Sequence, residues 1–253
     1  MPEGDTIFRA ARTLNEALAG KTVTRFETVL PQLAHVDDQT PLRGRKVERV
    51  TSSGKNLIIE FSGALVLRTH LRMNGSWHLY RRGERWRKRR GDMRLVIATD
   101  DFEAVGFNIP VAEFASVRAG FSRPDRPEPL AALGPDLLAE TFDIDEAERR
   151  ILAHGDEEIG NALLNQRLVA GIGNIWKSET LFACGVNPFR LAGSCDVRAI
   201  LKKARALLQR STRERPRFLV YERGGQPCRK CGTAIVRKLQ NLRGTYFCPK
   251  CQS

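Results

Sequence analysis

The sequence has no apolar run long enough to span a membrane, which argues against a helical membrane protein. Internal repeats are absent as well. No stretch with the pattern of a signal peptide precedes the first predicted helix. We therefore expect a cytoplasmic protein that has no membrane partner.

Acidic residues are scarce relative to basic ones. The 253 residues include 42 Lys and Arg but only 29 Asp and Glu, which gives a formal net charge of +13. A protein this basic most often binds a polyanion, and nucleic acid is the commonest one. The alternative is a basic protein whose charge only keeps it soluble. The chain is long enough for two domains with real cores.

Cysteine is sparse, and its distribution argues against a disulfide framework. Four of the six cysteines form two Cys-x-x-Cys pairs separated by sixteen residues: Cys228, Cys231, Cys248 and Cys251. Two such pairs at this spacing supply four thiolates for one structural Zn²⁺. Because no ligand position is left for water, the metal is expected to fold the C-terminal segment and not to catalyse.

The first half of the chain reads as an N-terminal helix followed by strands. The helix is predicted from about Thr6, with Asp5 as its N-cap and Gly20 after its end. The predicted strands cover residues 22–26, 46–50, 57–61, 64–67, 77–80 and 95–98. Residues 62–63 are predicted to form a two-residue hairpin turn. The pattern predicts a β-sandwich that carries one long helix over residues 1–122.

The second half begins with a linker rich in proline and charge at residues 123–135. A helical domain is predicted over residues 136–220. Within it, residues 159–169 and 174–184 are predicted as two helices on either side of a glycine-containing turn, and residues 197–210 as a basic amphipathic helix.

The last part, residues 221–253, is too short to fold on hydrophobic burial alone. Its predicted strands, 233–236 and 244–247, form a hairpin between the cysteine pairs. The sequence therefore predicts a multi-domain α+β protein that ends in a zinc finger β-hairpin.

The first residues carry chemistry of their own. If Met1 is removed, Pro2 becomes the amino terminus and offers a secondary amine, which condenses with an aldehyde carbon to give a cationic iminium. Glu3 beside it is placed to donate or accept a proton. Alone, this start is also compatible with chance.

Three separated signals agree with one another: the Pro2-Glu3 start, the glycine turn between two helices and the basic zinc finger. The motifs are Met1-Pro2-Glu3-Gly4, Gly54-Lys55-Asn56, His70-Leu71-Arg72-Met73-Asn74-Gly75, Ala170-Gly171-Ile172-Gly173-Asn174 and Leu242-Arg243-Gly244-Thr245. In this order they resemble the formamidopyrimidine-DNA glycosylase and endonuclease VIII family of base-excision repair enzymes. The resemblance covers nearly the whole chain and implies a helix–two-turns–helix motif in the helical domain.

The resemblance also implies roles for the catalytic residues. Pro2 matches the family nucleophile, which attacks the anomeric carbon of a damaged nucleotide and becomes a Schiff base. Glu3 matches the acid that protonates the opened sugar or the departing base. Lys55 matches the lysine that binds phosphate and assists the chemistry. Arg243 matches the finger arginine that clamps phosphates flanking the lesion and is linked to strand cleavage.

Further residues match the family's DNA contacts. Asn174 matches the asparagine that holds a phosphate beside the lesion, and glycines before a helix suit such a contact. Met73 matches the wedge that fills the space left by an extruded base. Glu179 matches a supporting glutamate near the amine.

Each of these residues has a simpler alternative. Lys55 could cap a strand, and Asn174 could be only a helix N-cap. Arg243 could be a solvated residue at a hairpin tip, and Met73 could fill the core at the end of a strand. The basic run over residues 81–90 could track a DNA backbone or be a solvated hairpin.

Departures from the family pattern bear on the substrate. The purine-specific branch carries an Arg-Phe pair in a later loop, and the stretch that we take to correspond, residues 99–107, lacks it. Gly4 and Trp77 favour the endonuclease VIII branch, whereas Thr6 replaces the glutamate that the family usually places sixth.

The resemblance implies a bifunctional DNA glycosylase and abasic-site lyase that removes oxidised bases by β,δ-elimination, with pyrimidines as the expected substrates. We expect a nucleoid-associated monomer that binds damaged DNA, in duplex or single-stranded regions. An oxidised-purine glycosylase and a non-catalytic DNA-binding protein with the same fold stay open as alternatives.

Overall fold

The structure, a computed structural model, describes residues 2–116 and 128–253. The predicted domain boundary at residue 122 and residues 123–127 of the predicted linker lie outside the described residues. The chain divides into two compact units. Unit 1 comprises Met1–Pro2 and Thr6–Ala131, and unit 2 comprises Glu3–Asp5 and Ala132–Ser253.

Unit 1 contains two four-stranded antiparallel sheets, so the predicted β-sandwich is confirmed. Its helices are α1 (Gly4–Leu18, whose first two residues belong to unit 2), α2 (Pro31–Gln39) and α3 (Glu128–Ala131). Its strands are β1 (Arg25–Thr28), β2 (Val47–Ser53), β3 (Asn56–Phe61), β4 (Leu65–His70), β5 (Ser76–Arg81), β6 (Met93–Ala98), β7 (Phe102–Phe107) and β8 (Val111–Ser116). The strand orders are β1-β6-β7-β5 and β2-β3-β4-β8.

Helix α1 forms because apolar side chains recur at intervals of three and four residues. Ile7, Leu14 and Leu18 are buried in the core of unit 1. The helix begins at Gly4 and not at Thr6, so the prediction of Asp5 as its N-cap is wrong. Asp5 lies in the first turn, in the part of the helix that belongs to unit 2, and its carboxylate accepts a hydrogen bond from the Trp176 indole at 3.1 Å.

Strands β7 and β8 and helix α2 were not predicted, and helix α3 lies in the predicted linker. Residues 102–107 form strand β7 even though they contain Gly106. A glycine fits this position because the neighbouring strand β6 packs closely against it: an added Cβ on Gly106 would lie 2.8 Å from the Leu95 side chain. The predicted two-residue turn at 62–63 is also wrong. Phe61 pairs with Leu65, so the loop has three residues and ends with Ala64 at φ +59°.

Unit 2 contains the predicted helical domain and the finger. Its helices are α4 (Ile144–Leu152), α5 (Ile159–Ala162), α6 (Asn174–Cys184) and α7 (Val197–Ser211), and its strands are β9 (Val236–Gln240) and β10 (Arg243–Phe247). Helix α6 has the predicted bounds and ends at Gly185, which is left-handed with φ +70°.

The predicted helix over residues 159–169 is wrong beyond Ala162. The Gln166 side chain donates to the carbonyls of Leu164 and Ile172 and accepts from the backbone N–H of Gly171. These side-chain bonds hold the chain in turns and replace the bonds of a continued helix.

The finger strands also differ from the prediction at one end. The first strand spans Val236–Gln240, three residues later than predicted, because residues 225–235 fold back on the first cysteine pair. Gln240 pairs with Arg243, so Asn241 and Leu242 form a two-residue turn. Both have positive φ, +46° and +62°, which defines a type I′ hairpin.

No helix within residues 2–116 and 128–253 combines the length and apolar character that a membrane crossing requires.

Candidate active site

The Glu3 carboxylate is bound at the start of helix α6. It accepts hydrogen bonds from the backbone N–H groups of Gly173, Ile175 and Trp176 at 3.0, 2.8 and 3.1 Å. The first N–H groups of a helix have no partner within the helix, and the positive end of its dipole favours a negative charge there. Glu3 is only 1% exposed. The residue bonded to Pro2 is therefore held in one position.

Glycines make this close approach possible. An added Cβ on Gly173 would lie 2.2 Å from Cδ of Glu3, so the carboxylate occupies the space of a side chain. Gly4 donates its N–H to the Gly171 carbonyl at 3.0 Å, and a Cβ on Gly4 would lie 2.9 Å from the backbone of Gly171. The glycine turn before α6 thus accepts the N-terminal segment, which its sequence spacing alone did not reveal.

Asn174 is the first residue of α6, and Gly173 is its N-cap, so the simpler interpretation of Asn174 as an N-cap is wrong. Its side chain donates to the Gly244 carbonyl at 2.8 Å. Because Gly244 follows Arg243, this bond fixes the start of α6 against the finger hairpin.

The sequence interpretation missed Tyr221, whose phenol lies close enough to Glu3 and Asn174 for both to influence its pKa. Burial raises the pKa of the Tyr221 phenol, and the carboxylates of Glu222 and Glu3 raise it further, whereas the Asn174 side chain acts in the opposite direction. A neutral hydroxyl therefore lies beside Glu3 and Asn174. A tyrosine seven residues before the first finger cysteine carries no local signal of this position.

Lys177 is fully buried beneath the finger hairpin. Its ammonium donates to the Thr245 hydroxyl at 2.5 Å. Burial lowers the pKa of Lys177 to about 8; the Arg243 guanidinium also lowers it, while Glu3 and Glu158 raise it. The buried lysine thus links α6 to the strand that begins with Arg243.

Glu179 contacts the segment that leads into the finger. Its carboxylate accepts backbone hydrogen bonds from Leu219, Val220 and Tyr221 at 2.8 to 3.0 Å. The side chain is 6% exposed. In the structure this residue anchors the connector that carries Tyr221.

Arg243 is exposed at the start of β10, directly after the type I′ turn. Leu242 beside it is 94% exposed, although exposing an apolar side chain to water is unfavourable. The hairpin tip therefore presents one cation and one apolar side chain to solvent.

The four finger cysteines converge on one point. Their sulfur atoms all lie within 4.8 Å of one another, with Cys228 and Cys251 at 4.0 Å and Cys231 and Cys248 at 3.4 Å. Tetrahedral Zn–S bonds of about 2.3 Å place sulfurs about 3.8 Å apart, so the donor set fits one structural zinc. The protein carries one such zinc, as predicted.

In unit 1, Lys55 lies in the two-residue turn between β2 and β3, after Gly54 with φ +57°. Several cations surround His70 at the end of β4. Burial lowers the pKa of His70 to about 4, and the charges of Arg72, Lys55 and Arg68 lower it further. The neutral ring accepts the Arg72 backbone N–H on Nδ1 at 3.0 Å. Such a group of cations favours an anionic ligand.

Met73 lies in the turn between β4 and β5 and is 64% exposed, so the simpler interpretation of it as a core residue is wrong. The loop that faces this turn is residues 108–110, which line a shared groove with Met73 and Arg94. Residues 99–107, which the sequence predicts to correspond to the Arg-Phe loop, are mainly strand β7. The facing loop reads Asn108-Ile109-Pro110 and also contains neither arginine nor phenylalanine.

The predicted site residues thus fall into two groups. Glu3, Asn174, Glu179 and Arg243 lie in unit 2. Glu3 and Asn174 make hydrogen bonds at the start of α6, Glu179 binds residues 219–221, and Arg243 precedes the glycine whose carbonyl accepts from Asn174. Lys55 and Met73 lie in unit 1, in the turns that follow β2 and β4. Pro2 is half-buried and belongs to unit 1, although it is covalently bonded to Glu3.

Family models match three successive parts of the chain. They are the formamidopyrimidine-DNA glycosylase N-terminal domain at residues 1–110, the formamidopyrimidine-DNA glycosylase H2TH domain at residues 133–216, and the zinc finger found in FPG and IleRS at residues 225–253. Together these matches cover most of the sequence.

Curated relatives agree. The probable endonuclease 8 2 of Streptomyces coelicolor is 37% identical over 270 residues, a match that covers 100% of this chain and 94% of that protein. The DNA-(apurinic or apyrimidinic site) lyase Nei2 of Mycolicibacterium smegmatis is 35% identical over 265 residues, covering 100% and 99%. Among solved structures, Lactococcus lactis formamidopyrimidine-DNA glycosylase, non-covalently bound to DNA containing an AP site, matches with a TM-score of 0.85 at 23% identity and full coverage of both chains. At that identity the structural likeness establishes the fold.

Proposed function

The chain belongs to the formamidopyrimidine-DNA glycosylase and endonuclease VIII family and is a DNA glycosylase and abasic-site lyase of base-excision repair, and we propose that it removes oxidised pyrimidines through the amine of Pro2. The observation that carries the catalytic assignment is the position of Glu3. A buried carboxylate held by three backbone N–H groups fixes the residue next to the amine. Fixed geometry of this kind is what nucleophilic catalysis requires.

In the proposed reaction, the Pro2 nitrogen forms a bond to C1′ of the damaged nucleotide while the bond from C1′ to the base breaks. The amine loses its proton, and the departing base takes one up. Ring opening of the sugar then gives an iminium, and Glu3 exchanges protons with the opened sugar. Loss of the C2′ proton expels the 3′ phosphate, and a second elimination expels the 5′ phosphate. The product is a one-nucleotide gap.

Phosphate binding is assigned to three further residues. Asn174 at the helix start and Arg243 at the hairpin tip lie in one hydrogen-bonded group of unit 2. Lys55 lies among the cations around His70 in unit 1. Arginine guanidinium and lysine ammonium groups form charge-assisted hydrogen bonds to phosphate oxygens. The zinc supports this group by folding the hairpin that carries Arg243.

The substrate preference rests on the groove beside Met73. A wedge residue fills the space left by the extruded base, and neighbouring side chains face the unpaired partner base. Here the facing loop carries Asn108 and Pro110, with neither arginine nor phenylalanine; the guanidinium groups that line the groove belong to Arg72 and Arg94, outside that loop. The relatives named endonuclease 8 support the same preference.

Borohydride trapping tests this proposal because borohydride reduces an iminium to a stable covalent bond. The untagged protein is incubated with labelled duplexes containing an abasic site, an oxidised pyrimidine, or 8-oxoguanine opposite cytosine. We expect trapped complexes with the first two duplexes.

Trapping chiefly on the 8-oxoguanine duplex would assign the enzyme to oxidised purines instead. No trapping even on the abasic duplex, from protein whose intact mass shows that Met1 is removed, would contradict the Schiff-base mechanism. The same series with Lys55→Met separates loss of phosphate binding from loss of the nucleophile, since its trapped fraction recovers at higher protein concentration.

A further inference from the structure

The segment between β5 and β6, residues 82–92, concentrates basic side chains that the proposed chemistry does not use. We propose that this segment, called the basic loop below, binds phosphates of the duplex that flanks the lesion. The proposal rests on the DNA-repair function above and extends its binding surface. With Arg81 at the end of β5, the basic residues are Arg81, Arg82, Arg85, Arg87, Lys88, Arg89 and Arg90.

The basic loop is folded around one tryptophan. The Trp86 ring packs edge-on against Phe107 at 5.8 Å, and its indole donates to Glu103 at 3.1 Å. The backbone N–H of Arg87 donates to the Tyr80 hydroxyl at 3.1 Å. These contacts hold the middle of the loop against the sheet, so its charges have defined positions.

The loop runs back across one face of the β1-β6-β7-β5 sheet, where Trp86 packs against a cluster of residues from β5, β6 and β7. Strand β5 ends at Arg81, opposite Phe102, whereas β6 begins at Met93, opposite Phe107 at the other end of β7. The loop must therefore cover the length of β5, which is about 20 Å for six residues. That length matches about six base pairs of duplex at 3.4 Å per pair.

One end of this path lies beside the proposed wedge. The Lys88 ammonium donates to the Ser76 hydroxyl at 2.9 Å. Ser76 is the first residue of β5 and follows Met73 by three positions. When Met73 is inserted at a lesion, the second half of the basic loop therefore lies near the DNA backbone beside that lesion.

The charges of the loop are largely uncompensated. Within the described ranges, the only loop cation with a carboxylate oxygen within 4.0 Å is Arg90, which pairs with Glu27 at 3.1 Å. Arg82, Arg85, Arg87 and Arg89 are exposed. Like charges held this close repel one another, and a regularly charged polyanion relieves that repulsion. Arginine also forms paired hydrogen bonds to phosphate oxygens.

The test compares two variants that lose the same charge. R87Q/R89Q removes two arginines from the end of the loop near Ser76 and keeps Trp86 and Lys88. R43Q/K46Q removes two exposed cations that precede β2, at the end of that strand opposite Lys55. Affinity for a duplex with a non-cleavable abasic-site analogue is measured from 50 to 300 mM salt, after thermal unfolding shows that both variants are folded.

The slope of log affinity against log salt reports the number of phosphates neutralised, at about 0.9 for each. We expect R87Q/R89Q to lower the slope by up to about 1.8, and R43Q/K46Q to leave it unchanged. The difference in slope between R87Q/R89Q and the wild-type protein should disappear when the duplex is shortened on one side of the lesion. It should persist when the duplex is shortened on the other side.

Equal slopes for the two variants would overturn the proposal, and so would a difference in slope that does not depend on the length of either flank. An acidic protein would then be the partner to test for the basic loop. Borohydride trapping by the wild-type enzyme is scored separately. A slope difference without trapping would support the basic loop and contradict the proposed chemistry, so the two failures are distinguishable.

Discussion

At the scale of single residues, the site depends on main-chain groups as much as on reactive side chains. Glu3 is placed by N–H groups at the start of α6, and those groups are accessible because Gly173 has no side chain. The sequence motif identifies Glu3 and Gly173 separately. Their contact joins positions 170 residues apart, and no local pattern predicts it.

Gly173→Ala tests this contact without altering any reacting group. The new Cβ would lie 2.2 Å from Cδ of Glu3, so the carboxylate must move. We expect the single-turnover rate of base excision to fall by about 10²-fold or more, the usual contribution of a positioned acid or base. Gly91→Ala, whose added Cβ meets nothing within 4 Å, is the control, with enzyme in excess over its Kd so that the rate does not depend on DNA binding by the basic loop. A wild-type rate for Gly173→Ala would show that the position of Glu3 does not matter.

Lys177 gives a pH-dependent prediction. Its pKa is about 8 in the folded protein against 10.5 in the unfolded chain. The unfolded state therefore binds more protons between these values, and stability should rise as the pH increases from 8 to 10.5. Urea unfolding over this range measures the rise. Lys177→Met should remove this contribution, whereas exposed Lys202→Met should keep it; an unchanged rise in Lys177→Met would contradict the assignment.

At the scale of elements, the sequence predicts what depends on neighbouring residues. Helix α6 has its predicted bounds because its N-terminal glycine and the C-terminal Gly185 are local signals. The predicted helix over residues 159–169 failed because Gln166 bonds to a turn six residues later. Strand β7 was missed because Gly106 argues against a strand unless the packing of β6 is known. Lys177 was missed for the same reason, since its burial comes from the finger.

The finger hairpin illustrates a conflict between an element and one of its residues. Leucine at φ +62° is strained, and Asn-Gly is the preferred pair in a type I′ turn. Leu242→Gly should therefore stabilise the protein by about 0.5–1 kcal/mol in urea unfolding. Leu239→Gly, in β9 of the same hairpin, should destabilise it by a similar amount. Destabilisation by both would contradict the turn assignment.

At the scale of the whole molecule, the zinc finger depends on metal more than on its own core. Its buried cluster contains Phe182, Val220 and Ile235 together with the cysteines. Residues 225–253 bury few other apolar side chains, so the metal supplies much of the folding free energy of this part. The hairpin that carries Arg243 is therefore coupled to the zinc.

Removal of zinc should weaken DNA binding and lyase activity together. We expect a strong chelator to lower affinity for an abasic-site duplex by at least about tenfold, because the Arg243 hairpin loses its fold. Fluorescence anisotropy with labelled duplex measures the change, and added Zn²⁺ should restore it. Metal-free protein that binds as tightly as the zinc form would show that the finger is dispensable for binding.

The central claim is that the Pro2 nitrogen becomes covalently bonded to the sugar of the damaged nucleotide. The most direct measurement is mass spectrometry of proteolytic peptides from the borohydride-trapped complex with an abasic-site duplex. We predict that the reduced sugar adduct lies on the N-terminal peptide, at Pro2, and that Pro2→Gly sharply lowers trapping. An adduct on a lysine such as Lys55, with an unmodified N-terminal peptide that begins at Pro2, would contradict the account.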